Sequence, residues 1–189
     1  MGPRKQEGLH WASAPVSRED FREPGRPVPV SVIGAHGGAG TTTVARLLGA
    51  NDRGLCWPEI GDGHPPRALV TARTHASGLL AAGRLLAAWR AGKCATGTYL
   101  TGLVLVPDVP VPLPVQISRQ IADLASLIPM FRMPWLPNMR VSGSVPEYAG
   151  RLEQSLRRFA EEAAVTQTPS LNSNTRGTSC TFSSYKSSL

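Results

Sequence analysis

Cysteine and aromatic residues are scarce in this chain, and each shortage removes a class of protein. The three cysteines, Cys56, Cys94 and Cys180, are odd in number and share no CxxC spacing. That excludes a disulfide framework and a thiolate zinc site, and it points to a reducing, cytoplasmic setting. Aromatics make up 6% of the residues, so the hydrophobic 41% leans on Ala, Leu and Val. Long apolar runs are also missing. The longest candidate, LTGLVLVPDVPVPLPV, is cut by four prolines and is too broken to span a bilayer. The opening MGPRKQ has no apolar h-region, so no secretory signal is read there. Gln6 stands where a myristoylation signal after Gly2 needs Ser or Thr.

Positive charge is present but not concentrated. A formal net charge of +7 favours anionic partners. The basic residues are mostly single arginines, with no Lys/Arg block and no basic helix interleaved with aromatics, which argues against a nucleic-acid face. Catalytic patterns are absent too. Ser77, Ser118 and Ser126 have no GxSxG context. His36, His64 and His75 with Asp62 have no spacing that enforces a metal cluster, and Gly63, Pro65 and Pro66 make the DxH a plain turn. Cys56, between Leu55 and Trp57, reads as packing within a small loop.

Residues 1–27 mix charges of both signs with Pro and Gly and read as a flexible N-terminal arm. Residues 164–189 are rich in Ser, Thr and Asn and read as a disordered tail. The folded unit is then 28–163, in which strand-like and helix-like segments alternate. VPVSVI (28–33) is a buried strand by composition, followed by a glycine loop and a short helix over 42–50. Residues 51–66 are turn-forming and irregular. A second strand covers 67–72 and a third 99–106, with a fourth at 130–135.

Between and after these strands lie three helical segments. The first is 75–92, with Thr74 placed to cap its start and Gly92 its end. Leu79, Ala82, Leu86 and Trp89 share one of its faces. The second is 115–128, striped by Ile117, Ile121, Leu124 and Ile128. The third is 149–164, with Leu152, Leu156, Phe159 and Ala163 facing inward, and with Arg157 and Arg158 in pairing distance of Glu153, Glu161 and Glu162. This alternation predicts an α/β fold, a compact, mainly parallel sheet with helices on both faces. Loops after its strands would meet at one edge, where such folds bind ligands.

The glycine loop, GAHGGAGTTT (34–43), sits at that edge between a strand and a helix. Glycines there let the backbone turn tightly and approach a phosphate closely, and the N–H groups opening the helix point at the anion. Gly37, Gly38, Ala39, Gly40, Thr41, Thr42 and Thr43 are the candidate phosphate-binding residues. Arg73, Arg84 and Arg90 read as solvation of an outer helix face, with Arg73 at a strand end within reach of a phosphate.

VSVIGAHGGAGTTTVARLL resembles the opening of the MinD/ParA group of P-loop ATPases, whose deviant Walker A loop runs KGGxGKTT. LVTARTHASGLLAAGRLLAAW resembles the group's strand and helix beginning LVTxPE, GLVLV its GVVLN strand, and FRMPW its late strand ending in IP. The match covers roughly residues 28–137. The loop is also similar to that of short actinobacterial proteins and of lysine-lacking TadZ/CpaE-type relatives.

The resemblance implies a reduced P-loop NTPase-like fold and a nucleotide, ATP or ADP with Mg²⁺, as cofactor. It implies that Thr42 is the Mg²⁺ ligand through the nucleotide, and that Pro107, Asp108, Pro134 and Trp135 form a base pocket. It also implies a protein partner, either a second copy or a partner ATPase.

The departures from the pattern fall on the chemistry. His36 stands for the signature lysine, Ala35 for the leading glycine, and Thr41 for the lysine that reaches the β- and γ-phosphates. The strands carrying the switch aspartates have no counterpart in residues 51–66. Phosphoryl transfer needs lysine, metal and acid acting together, so no catalytic residue is assigned. The leading expectation is a degenerate P-loop protein, a pseudo-ATPase that binds nucleotide or phosphate weakly as a regulatory or scaffold subunit. Two alternatives stay open: a non-nucleotide interaction module, and an atypical ATPase using Asp108 or Glu59.

Overall fold

The computed structural model describes residues 28–59, 61, 63–94, 97–137 and 149–166. The expected arm at 1–27, residues 167–189 of the expected tail, Asp62 and Cys180 lie outside them. Five strands form one sheet: β1 (Ser31–Gly34), β2 (Asn51–Asp52), β3 (Arg67–Arg73), β4 (Tyr99–Val106) and β5 (Met130–Arg132). Their order is β2-β1-β3-β4-β5, and every pairing is parallel. The described helices are α1 (Thr41–Leu48), α2 (Ala76–Arg90), α3 (Val115–Ala125) and α4 (Ala149–Thr166).

Two apolar layers hold the sheet between helices. On one face Val32, Leu69, Val104 and Val106 pack with Val44 and Leu48 of α1 and Leu152, Leu156 and Ala160 of α4. On the other Ile33, Val70, Leu103 and Leu105 pack with Leu79, Ala82 and Leu86 of α2 and Ile121 and Leu124 of α3. The α/β fold with helices on both faces is therefore as expected. The strands read as near-continuous apolar runs because both faces are covered.

Near its start, β4 breaks the alternation. Ala68 pairs with Leu100 but Leu69 with Gly102, so Thr101 is an extra residue in the ladder. Its hydroxyl donates to the Ala68 carbonyl (3.0 Å). The bulge puts Leu100 and Leu103 on the same face and leaves Gly102 on the other, against the Phe159 ring of α4.

Element ends differ from expectation where local chemistry is ambiguous. Residues 51–66, expected to be irregular, contain β2, whose Asn51 and Asp52 pair with Ser31 and Val32. The last helix runs to Thr166, past the expected helix end at 164. His75 rather than Thr74 caps α2, its Nδ1 accepting the Gly78 N–H (2.9 Å). At the other end Gly92 adopts φ 66°, and the N–H groups of Gly92 and Lys93 donate to the carbonyls of Trp89 and Ala88, the glycine stop read from the sequence. Cys56 is exposed rather than packed, while Trp57 joins the α2/α3 layer. Of the expected ion pairs on α4, Arg157 meets Glu153 at 3.2 Å.

Candidate functional site

With all strands parallel, the loops after β1, β3, β4 and β5 open on one edge. The first is the glycine loop. As β1 ends, the Gly34 N–H donates to the Gly54 carbonyl (2.6 Å) and the Ala35 N–H to the Thr71 carbonyl (2.8 Å). The chain then turns with Gly38 at φ 75° and Gly40 at φ 90°, left-handed conformations that a side chain disfavours. Gly40 is also pressed on β4, since a Cβ there would meet the Val106 side chain at 3.1 Å. Ala39 is buried beneath the loop.

Helix α1 starts directly from Gly40, and no side chain caps it. The Val44 N–H is bonded to the Gly40 carbonyl at 3.0 Å. The amides of Thr41, Thr42 and Thr43 precede it in the first turn and have no carbonyl of the helix to bond. They sit at the positive end of the helix dipole. Thr42 is exposed and Thr43 half-buried.

Thr41, expected from the resemblance to stand where a loop lysine would, points into the sheet. It is buried, and its Oγ1 lies 3.1 Å from the Thr71 Oγ1. The Thr71 hydroxyl donates to the Ile33 carbonyl (3.3 Å), so Thr41 is the donor to Thr71. Gly34 makes this possible, because a Cβ there would come within 2.6 Å of the Thr41 Oγ1. The Thr41 hydroxyl, expected to assist a phosphate, is engaged inside the sheet.

His36 is equally committed. Its Nε2 accepts the Arg73 N–H (3.2 Å), which leaves Nδ1 to donate to the Gly37 carbonyl (2.8 Å). Bonded in this way the ring is the Nδ1–H tautomer, with no proton on Nε2. It lies 5.3 Å from the His75 ring, centroid to centroid. Gly78 fits between them and the strand, since a Cβ on it would meet the Arg73 carbonyl at 2.5 Å and the His36 Nε2 at 3.0 Å. His36 is thus a clasp joining the loop to β3 and the start of α2.

Beside the loop lies a cleft of about 140 Å³, lined by Gly40, Thr43, Arg73, Pro107, Pro134 and Trp135 among others. Three of the four expected base-pocket residues therefore line one cleft with the loop. Asp108 does not line it; its N–H donates to the Thr74 hydroxyl (3.2 Å). Arg73 spans the cleft's wall, with Nε donating to the Gly38 carbonyl (3.1 Å) and Nη1 to the Pro107 carbonyl (2.8 Å). Thr71 and Gly78, which the sequence pattern does not single out, set the loop's inner contacts. Their signal was faint: a polar residue in an apolar strand, and a glycine in the first turn of a helix.

Among the described residues, no three His, Cys, Asp or Glu side chains gather into a group that could hold a metal. No described helix is long and apolar enough to cross a membrane. No curated protein matches the chain. Residues 29–156 match the model of a family of unknown function, DUF6668. That span takes in the whole sheet, the glycine loop and the cleft, and the chain belongs to this family.

Proposed function

We propose that this chain is a degenerate P-loop protein of the MinD/ParA type that binds a nucleotide or other phosphate weakly. In this reading it serves as a regulatory or scaffold subunit, with little or no ATP hydrolysis. The observation that carries the reading is the uncapped start of α1 behind two left-handed glycines, at the edge where the strands end. Backbone amides so arranged suit a phosphate, and the helix dipole favours its charge. The cleft supports weak binding. At about 140 Å³ it is smaller than most enclosed ligand sites, so a nucleotide would sit partly in solvent.

The engagement of Thr41 with Thr71 supports the absence of turnover, because no cation arises from the loop at the position where the lysine would reach the phosphates. Thr42, exposed in the first helical turn, is the residue that would meet a Mg²⁺ carried by the nucleotide. The protein partner, a second copy or an ATPase, rests on the resemblance alone.

Calorimetric titration with ATP, ADP and GTP in Mg²⁺, followed by a phosphate-release assay, tests the reading. Binding without turnover is expected. No heat up to millimolar nucleotide would overturn it and leave the interaction module. Turnover that Asp108→Ala abolishes would overturn it in favour of an atypical ATPase.

A further inference from the structure

We propose that Arg73 supplies, from the end of β3, the positive charge that the glycine loop lacks, and that it recognises the polyphosphate chain of a nucleotide. The inference rests on the nucleotide-binding reading above and names the residue and ligand chemistry that give that site its selectivity.

Four observations carry it. First, the two residues at the lysine positions are turned away: Thr41 bonds Thr71 and His36 bonds the Arg73 backbone. Second, Arg73 is the charged residue lining the cleft among the described residues, together with Gly40 and Thr43 of the loop and helix. Third, the guanidinium is held by two carbonyls from different elements, Gly38 of the loop and Pro107 after β4. Those bonds use two of its five N–H donors and leave three for a ligand. Fourth, both bonds go to neutral acceptors, and among the described residues no carboxylate pairs with Arg73. Among the described residues its charge is therefore not neutralised.

The backbone beneath it is equally fixed. The Arg73 N–H is bonded to His36, and its carbonyl is packed on Gly78. A guanidinium ordered in advance loses little rotamer freedom when an anion arrives, and its planar fork matches phosphate oxygens. The α1 amides can hold one phosphate group. Arg73, tied to the same loop through Gly38, adds a full charge beside it. A ligand with two or more linked phosphates gains from both, and a monophosphate does not. The chemistry selected is a nucleoside di- or triphosphate, with inorganic pyrophosphate as its minimal form.

The test is calorimetric titration of the full chain with ADP, AMP and pyrophosphate at two ionic strengths, for the unaltered protein, Arg73→Gln and Arg73→Lys. The unaltered protein should prefer ADP to AMP and lose affinity for ADP as salt rises. Arg73→Gln should weaken ADP and pyrophosphate roughly tenfold or more, the factor a charge-assisted hydrogen bond carries. It should also erase the preference over AMP and flatten the salt dependence. Arg73→Lys should bind more weakly but keep the salt dependence.

Equal weakening of ADP and AMP, with the salt dependence intact in Arg73→Gln, would assign Arg73 a structural role and overturn the inference. So would ADP binding unchanged in Arg73→Gln. Where circular dichroism shows Arg73→Gln unfolded, Arg73→Lys decides: retained salt dependence supports the inference and its loss overturns it. No binding by the unaltered protein to any of the three ligands sinks the nucleotide reading itself, a different result from binding that ignores Arg73.

Discussion

Two glycines in one helix should respond to alanine in opposite directions. Gly78 and Gly83 both lie in α2, and neither has a left-handed backbone. Alanine in a helix interior is favoured over glycine by about 1 kcal/mol, so propensity alone predicts stabilisation at both. Packing separates them. A Cβ at Gly83 meets nothing nearer than the Leu124 Cδ2 at 3.8 Å, an ordinary contact. At Gly78 it would stand 2.5 Å from the Arg73 carbonyl, 3.0 Å from the His36 Nε2 and 3.1 Å from the His75 Cε1.

The first of those neighbours is strand backbone and cannot rotate away, so α2 or the ring must move. Overpacking of this kind costs about 1–3 kcal/mol. Displacing His36 forfeits a further hydrogen bond of about 1 kcal/mol. Gly83→Ala should therefore raise the urea midpoint by up to about 1 kcal/mol of stability, while Gly78→Ala lowers it by about 1–3 kcal/mol. Both measurements use equilibrium urea unfolding followed by circular dichroism, with unchanged m-values as the check that only stability moved. If Gly78→Ala matches Gly83→Ala within about half a kcal/mol, the His36 clasp is not the tight junction described.

Further substitutions probe three separate joints. Thr41→Val removes a buried hydroxyl whose partner, Thr71, keeps its own bond to the Ile33 carbonyl. Urea unfolding should show a loss of about 0.5–1.5 kcal/mol, and, on the proposed function, calorimetry should show nucleotide affinity unchanged, because the hydroxyl is already engaged with Thr71. His75→Ala should cost about 1 kcal/mol as a lost N-cap, with His75→Asn recovering most of it in the same assay. Gly102→Ala should destabilise by about 1–3 kcal/mol, since its Cβ would come within 2.7 Å of the Phe159 Cζ. Combined with Phe159→Leu, thermal unfolding should show a non-additive recovery, and strict additivity would refute the contact.

Much of the fold was legible because it depends on local pattern. Runs such as ALVTA and LTGLVLV have no polar face to place in water, so they could only be strands covered on both sides. The stripes Leu79, Ala82, Leu86, Trp89 and Ile117, Ile121, Leu124, Ile128 mark the sheet-facing sides. Six of the eight are buried and Trp89 and Ile117 partly so, while Ile128 lies just past the end of α3. Strand β2 was not legible. Asn51 and Asp52 are exposed at the sheet edge and carry no apolar signal; they pair because α1 ends at Gly49 and returns the chain beside β1. The Thr101 bulge was hidden for a related reason. A one-residue slip leaves composition untouched and shows only in which face Leu100 and Leu103 share.

The glycine loop divides along the same line. Its backbone is set by residues within it: Gly38 and Gly40 can take positive φ, and the sequence says so directly. Its side chains are set from a distance. Thr41 turns inward because Gly34, seven positions earlier, leaves room and because Thr71, thirty positions later, offers a partner. His36 crosses to Arg73 and fits only because residue 78 lacks a Cβ. A motif match weighs the loop residue by residue and so treats the absent lysine as a deletion from an otherwise intact site. In the fold, Thr41 and His36 are built into the wall, and their bonds to Thr71 and Arg73 tie the loop to β3. The loop's backbone and its side chains are thus under separate control here. On the proposed function, that separation lets the amides at the start of α1 meet a phosphate while Arg73 brings the charge from β3.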